Sequence, residues 1–139
     1  MYTDIVDFEL AKILDNRIVP VEIDNKYAAE DLECTMDNYL GTRKYKEGEL
    51  IDYSEDYIHG KYYYAPTYAE VIDWLFCFHC VVIELIPACT FALEEFVAYY
   101  FNVYRVNKDT GKLEKIFSQD NEMSSFELAI KDITKEIIK

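Results

Sequence analysis

Glycine and proline are scarce in this chain, which contains four glycines and three prolines among its 139 residues. The glycines are scattered, so the sequence has no glycine-rich loop whose backbone N–H groups could cradle a phosphate. The G-x-S-x-G, Walker, GxGxxG, HExxH and EF-hand patterns are also missing from the sequence. No motif therefore indicates an enzyme class, and we assign no catalytic residue.

Basic residues are few relative to acidic ones: 14 lysines and arginines stand against 27 aspartates and glutamates, which gives a net charge of −13. This balance argues against direct binding of nucleic acid, which requires a basic surface, and against docking on anionic membranes. The excess acid indicates either ordinary solubility or a decoy that offers DNA-like charge to a nucleic-acid-binding protein. The acids that suit a decoy are Glu30, Asp31, Glu33, Glu49, Asp52, Glu55 and Asp56.

Apolar runs long enough to cross a membrane are missing as well. The longest nearly unbroken run, Trp74–Ile86, includes a histidine and a glutamate and is too short to span a bilayer. The N-terminal sequence MYTDIVDFEL lacks the basic and long apolar regions of a signal peptide. With 51% hydrophobic residues, we expect one folded domain over residues 1–139, located in the cytoplasm.

The most informative part of the chain is a predicted helix that follows Pro66. Proline restricts the residue before it to an extended conformation, and Thr67 with Glu70 forms a capping box that starts a helix. The residues Val71, Trp74, Leu75 and Phe78 then follow the spacing of a core-facing stripe. Phe76 and Cys77 fall off that stripe, so the sequence predicts a second apolar side on this helix.

The run Tyr64-Ala65-Pro66-Thr67, followed by this helix and an apolar strand, resembles a group of small uncharacterised proteins of gut bacteria and their phages or integrated elements. The resemblance extends loosely over most of the chain and implies no activity, cofactor or catalytic residue. In that group a glycine ends the central helix, often in a Lys-His-Gly setting. Here Phe78-His79-Cys80 stands at this place, which casts doubt on an ordinary left-handed glycine cap.

The N-terminal half of the chain predicts one helix and several strands. Asp7 is suited to cap a helix over Phe8–Leu14 that Pro20 would stop. Residues 21–33 are ambiguous, since residues 21–23 could form a short extended piece and residues 25–31 could begin a helical turn. The predicted elements that follow are a strand over Cys34–Leu40, a charged turn over Thr42–Gly48, a returning strand over Glu49–Tyr53, a loop over Ser54–Gly60 and a strand over Lys61–Tyr64.

The C-terminal half predicts three strands and a helix. An inner strand over Val81–Ile86 ends at Pro87, and a long strand over Glu94–Val106 leads into an Asn107–Gly111 hairpin with Leu113–Phe117 as its return. Ser124 and Glu127 form a capping box for a final helix, whose core stripe is Phe126, Ala129, Ile130, Ile133 and Ile137. We therefore predict an α+β fold, an antiparallel-rich sheet of about four to five strands packed against helices, in the order α-β-(β)-α-β-β-β-α.

The Cys77-Phe-His-Cys80 spacing invites a redox or metal interpretation. A reactive thiolate is stabilised at a helix N-terminus, whereas this pair lies at a predicted helix C-terminus, where the dipole opposes it. A zinc site would have to recruit Cys34, Cys89 or a histidine, and no second CxxC supports one. We expect free cysteines that behave as small hydrophobic residues, with no metal and no cofactor.

His59 and Glu84 are the candidates for acid–base chemistry. His59 lies in a predicted loop beside Gly60, and Glu84 lies on an otherwise apolar strand where burial could raise its pKa. A small-molecule or hydrolytic pocket that uses both residues is one alternative. A solvated histidine and a carboxylate that pairs with a base or faces water is the other, and we favour the absence of an enzymatic activity.

Aromatic residues suggest an interaction surface, since the chain contains 13 tyrosines and tyrosine is favoured at protein interfaces. We therefore expect a non-enzymatic protein-interaction module of mobile-element or phage origin. Its partner would be another protein or a second copy in a homodimer, unless the segment Val19–Ile23 covers Phe76 within one chain. The candidate contact residues are Tyr62, Tyr64, Phe76, Cys77, Phe96, Tyr100 and Tyr104.

The net charge makes a first prediction about nucleic acid. Because a chain of charge −13 is repelled by phosphates, we expect no complex with DNA or RNA at physiological salt. A gel-shift assay at micromolar protein checks this, and a shifted band would contradict it. Competition with DNA for a basic protein would instead favour the decoy.

Overall fold

The computed structural model of the chain describes residues 4–21, 25–35, 41–51, 57–89, 97–123 and 126–138. These residues form three helices and three antiparallel sheets of three strands each. The elements in chain order are α1 (Phe8–Leu14), β1 (Lys26–Ala28), β2 (Leu32–Thr35), β3 (Thr42–Tyr45), β4 (Leu50–Ile51), β5 (Ile58–His59), β6 (Tyr62–Tyr64), α2 (Tyr68–His79), β7 (Val81–Cys89), β8 (Val97–Val106), β9 (Leu113–Met123) and α3 (Phe126–Ile138). The predicted α+β class is confirmed, although the strands are divided among three sheets instead of one.

The chain divides into two compact units, an N-terminal unit of Thr3–Glu70 and a C-terminal unit that consists mainly of Val71–Lys139. The boundary falls within α2, whose first turn belongs to the N-terminal unit. The expectation of a single domain stays a prediction, because two compact units can still unfold in one cooperative transition.

Helix α1 has the predicted bounds, but Pro20 does not end it. The Asp7 carboxylate accepts a hydrogen bond of 2.9 Å from the backbone N–H of Leu10, which satisfies one of the free donors of the first turn. Asp15 ends the helix in the left-handed region, with φ of 46°, a conformation that aspartate tolerates better than most residues. Pro20 therefore has no part in stopping the helix.

Two sheets make up the strands of the N-terminal unit, with the orders β4-β1-β6 and β3-β2-β5. The sequence predicted β6 and part of β2 and β4, and it missed β1 and β5, which are two or three residues long. It was wrong about β3, which was predicted as a charged turn. Only Tyr45 of that strand is buried, so its other residues look like those of a loop.

One hydrophobic cluster of the N-terminal unit is formed by buried residues of four of these strands: Ala28, Leu32, Cys34, Tyr45 and Ile51. Tyr27 adds a polar contact, since its hydroxyl donates a hydrogen bond of 2.7 Å to the carbonyl of Val6. Burial raises the pKa of the Tyr27 phenol, and the nearby Asp7 carboxylate raises it further.

Helix α2 starts with the predicted capping box. The backbone N–H of Thr67 donates to the Glu70 carboxylate at 3.0 Å, and the backbone N–H of Glu70 donates to the Thr67 hydroxyl at 3.2 Å. The buried stripe differs from the expected one, since it runs through Tyr68, Val71 and Leu75. Phe78 was predicted to join this stripe, and that was wrong.

The C-terminal unit contains one sheet, of order β7-β8-β9, and α3, which packs on β8 and β9. Strand β7 continues through Pro87 to Cys89, so proline does not end it, and it pairs only with β8 among the described residues. Proline is tolerated on such an edge strand because its missing N–H faces away from the partner strand. The prediction of an inner strand was therefore wrong.

The predicted hairpin between β8 and β9 is confirmed. Gly111 has φ of 72° and donates its backbone N–H to the Asn107 carbonyl at 2.7 Å, and the Asn107 side chain accepts from Asp109 N–H at 2.9 Å. Strand β9 continues to Met123, beyond the predicted end at Phe117. The turn is therefore fixed by local hydrogen bonds.

The final helix buries most of its predicted stripe. Phe126, Ala129, Ile130 and Ile133 are buried, whereas Ile137 is half-buried near the end of the helix. The predicted capping residue Ser124 lies outside the described residues.

The end of α2 carries a backbone conformation that is unfavourable for its residue. Cys80 has φ of 56° and donates its N–H to the Phe76 carbonyl at 3.1 Å. A left-handed helix cap thus forms without the glycine that usually supplies it. An L-amino acid in this region costs roughly 1–2 kcal/mol.

This strain predicts opposite effects of the same substitution at two neighbouring cysteines. We expect Cys80→Gly to raise the free energy of unfolding by about 0.5–1 kcal/mol, since the relieved strain exceeds the extra entropy that glycine loses on folding. The matched control Cys77→Gly, inside the helix, should lower that free energy by about 1 kcal/mol. Denaturant unfolding measures both variants, and a destabilised Cys80→Gly variant would contradict the prediction.

Candidate interaction surface

An exposed aromatic cluster covers the C-terminal end of α2. Phe76 is 53% exposed, Phe78 is 75% exposed, and Cys77 between them is exposed as well. Because successive helical residues are turned by about 100°, these three side chains extend over about 200° around the helix axis. We call Trp74, Phe76, Cys77 and Phe78 the aromatic tip.

Ring contacts hold part of the aromatic tip in place. The half-buried Trp74 ring lies 6.3 Å from the Phe78 ring and 4.6 Å from the His79 imidazole, which it meets edge-on. Such aromatic pairs contribute about 0.5–1.5 kcal/mol beyond the area that they bury. Phe78 is therefore positioned by its neighbours although most of its surface faces water.

The backbone after the tip is joined to the sheet of the C-terminal unit. The Cys80 carbonyl accepts a hydrogen bond of 2.8 Å from Val106 N–H, at the end of β8. Val106 pairs in turn with Leu113 of β9, which is 54% exposed. The backbone that follows the aromatic tip is thus hydrogen-bonded to the end of β8, next to the β8–β9 hairpin.

The segment Val19–Ile23 was the alternative cover for Phe76. Its Val19 and Val21 side chains are 61% and 87% exposed, and the Val21 backbone N–H donates to Glu70 at the start of α2. Ile23 lies outside the described residues. The side chains of Val19 and Val21 are therefore themselves exposed apolar surface.

The predicted tyrosine surface is distributed over both units. Tyr62 and Tyr64 belong to β6, and their half-buried rings meet edge-on at 5.5 Å. They lie 5.8 and 5.9 Å from the ammonium of Lys26, which is fully buried. Part of each ring is thus used to hold a cation within the chain. Tyr104 is half-buried on β8, whereas Phe96 and the side chain of Tyr100 lie outside the described residues.

The two residues of the predicted pocket lie in different units, and both are exposed. The His59 imidazole is 2.6 Å from the Thr35 hydroxyl, and the Glu84 carboxylate accepts from the Asn102 amide at 3.2 Å. A hydroxyl–imidazole pair becomes a nucleophile and base only when a third group orients the base. Within the described residues, the structure gives His59 no such group.

A groove of about 410 Å³ lies in the N-terminal unit and includes neither His59 nor Glu84. Its lining combines acids, bases and two core side chains: Asp31, Leu32, Glu33, Lys44, Tyr45, Lys46 and Glu49. Lys44 and Glu33 approach each other to 3.9 Å, and both are well exposed. The charges of this groove therefore largely balance each other.

Two of the acids proposed for a decoy have structural tasks. Glu30 accepts a hydrogen bond from Lys61 N–H, and Asp31 accepts one from Glu47 N–H, both at 3.1 Å. Each carboxylate thus fixes a turn of the backbone, which explains why these acids stand where they do.

The cysteines show no sign of a metal centre within the part of the chain that the structure describes, where no three His, Cys, Asp or Glu side chains are grouped as ligands. Cys77 is exposed, Cys80 is half-buried and Cys34 is buried, all as free thiols. Burial raises the pKa of the Cys34 thiol, while the charges of Arg43 and Lys26 oppose the rise.

Comparisons of this chain with protein-family models, with curated proteins and with solved structures find no match. The resemblance to proteins of gut bacteria and their mobile elements therefore stays a prediction. None of the described helices is both long and apolar enough to cross a membrane.

The sequence predicted that Phe76 and Cys77 lie off the buried stripe of α2. It did not predict the exposure of Phe78 or the local charge of the neighbouring hairpin. Phe78 was predicted to be buried, because helical spacing does not show whether the last turn of a helix is covered by other residues. Sequence reasoning also treated charge as one total for the chain. A count over short windows would have shown that Arg105–Lys115 is basic.

The three described thiols should differ in reactivity. Since the thiolate is the nucleophile, we expect iodoacetamide to modify Cys77 within the folded chain at neutral pH. Buried Cys34, with its raised pKa, should react more slowly by roughly 100-fold or more, through opening of the fold. Mass spectrometry of labelled peptides measures both, with the unfolded chain as the control. Equal rates in the folded chain would contradict this assignment.

Proposed function

We propose that the chain is a non-enzymatic protein-interaction module whose contact surface is the aromatic tip. The observation that carries the proposal is the exposure of Phe76 and Phe78 on an ordered, capped helix. Aromatic residues placed in this way are the usual anchors of protein interfaces. The resemblance of the Tyr64–Thr67 region to proteins of bacterial mobile elements supports an origin of the same kind.

The exposed area sets the scale of the interaction. Phe76 and Phe78 together offer on the order of 250 Å² of apolar surface. Its burial would contribute about 6 kcal/mol before the cost of association is subtracted. A partner therefore needs further contacts around the tip, and a second copy of the chain is one candidate.

The alternatives have less support. His59 and Glu84 are each exposed and hydrogen-bonded to a neutral side chain of a neighbouring strand, and the groove of the N-terminal unit is lined by neither of them. For the decoy, Glu30 and Asp31 already have a structural role, since each accepts a backbone hydrogen bond.

Photocrosslinking in cells tests the proposal at single residues. With benzoylphenylalanine in place of Phe76 or Phe78, we expect covalent adducts on irradiation, since these positions lie within the contact. Leu128, an exposed residue of α3, is the matched control position and should give none. An adduct of twice the mass of the chain would identify a second copy as the partner.

No adduct from either tip position, or equal adduct from Leu128, would refute the tip as the contact surface. Circular dichroism of each variant shows whether the fold is retained.

A further inference from the structure

The hairpin next to the aromatic tip has a charge opposite to that of the rest of the chain. Residues 105–115 carry four bases and two acids, for a net charge of +2, while the remaining residues carry −15. The bases are Arg105, Lys108, Lys112 and Lys115, and all four are exposed. We call Arg105–Lys115 the basic hairpin.

Backbone hydrogen bonds hold the basic hairpin beside the end of α2. Val106 N–H donates to the Cys80 carbonyl at 2.8 Å, and Asn107 N–H donates to the Lys112 carbonyl at 2.9 Å. The Asn107 amide also donates to the Glu114 carboxylate at 2.9 Å, so one of the two acids is already engaged. The backbone that carries the cations therefore adjoins the helix end that presents the aromatic residues.

We propose that the aromatic tip and the basic hairpin form one surface that binds an acidic partner protein. The proposal rests on the proposed function of the tip and adds the sign of the partner's charge. The phenylalanines would enter an apolar part of the partner's contact surface, and its carboxylates would face Arg105, Lys108 and Lys112. Such complementarity raises the association rate and supplies contacts beyond the apolar area.

Screening explains why the local charge governs recognition. At physiological salt the Debye length is about 8 Å, so charges far from the contact contribute little to the free energy of binding. Asp73 is the acid that α2 itself contributes beyond its first turn. It directly precedes Trp74, so it subtracts one charge from the positive charge of this surface.

Other classes of partner fit this surface less well. A two-fold dimer through the tip would place two basic hairpins against each other. Four cations accompanied by two acids give only weak attraction to the phosphates of nucleic acid or of an anionic membrane.

The test uses the full chain and the fluorescence of Trp74, the one tryptophan of the sequence. A short amphipathic Leu/Glu peptide is titrated against it, with a Leu/Lys peptide of the same apolar spacing for comparison. We expect a saturable change in Trp74 emission with the Leu/Glu peptide. Lys108→Glu with Lys112→Glu should weaken this binding about tenfold at physiological salt.

Matched variants separate local charge from total charge. Lys44→Glu with Lys46→Glu makes the same change in net charge outside the proposed surface and should weaken the binding less than the hairpin substitutions do. Phe78→Ala should weaken binding about tenfold as well, whereas Leu128→Ala should not.

Four results would overturn the inference: no saturable response to the Leu/Glu peptide, a response that ignores the hairpin lysines, sedimentation that shows self-association through the tip, or an equal hairpin-dependent response to phosphatidylserine vesicles or single-stranded DNA. Adducts from Phe76 and Phe78 whose yield is unchanged by the hairpin substitutions would leave the proposed function standing and refute only the acidic partner.

Discussion

The way in which α2 ends is the constraint on which the surface of the C-terminal unit depends. Cys80 adopts a left-handed conformation at φ of 56°, and its N–H and carbonyl bond to Phe76 and Val106. These two bonds stop the helix, turn the chain into β7 and fix the last helical turn beside β8. Because the turn ends there, Phe76, Cys77 and Phe78 are held outward. The left-handed conformation of Cys80 thus maintains the aromatic tip at a cost in stability.

The aromatic tip and the basic hairpin bring apolar surface and positive charge next to each other. The chain is strongly acidic as a whole, yet four of its 14 bases lie within the basic hairpin. In the proposed interaction, the exposed rings and these cations would act on the same partner.

Sequence patterns predicted those elements that have a strong local cause. The Asp7 cap, the Thr67–Glu70 box and the Asn107–Gly111 hairpin are confirmed because each is fixed by hydrogen bonds within a few residues. Strands β1 and β5 were missed because they are too short for alternation to appear, and their pairing is set by distant partners. The exposure of Phe78 could not be predicted either. Helical spacing gives the direction of a side chain around the helix axis, but it does not show how far each turn is buried.

Hydroxyl-radical footprinting of the isolated chain tests the central claim most directly, since it measures the solvent accessibility of each ring. The account predicts that Phe76 and Phe78 are oxidised readily at low protein concentration, while Tyr68, which is buried on the same helix, is protected. A concentration series separates cover within the chain from cover by a second copy. Protection of both phenylalanines at low concentration would contradict an exposed aromatic tip.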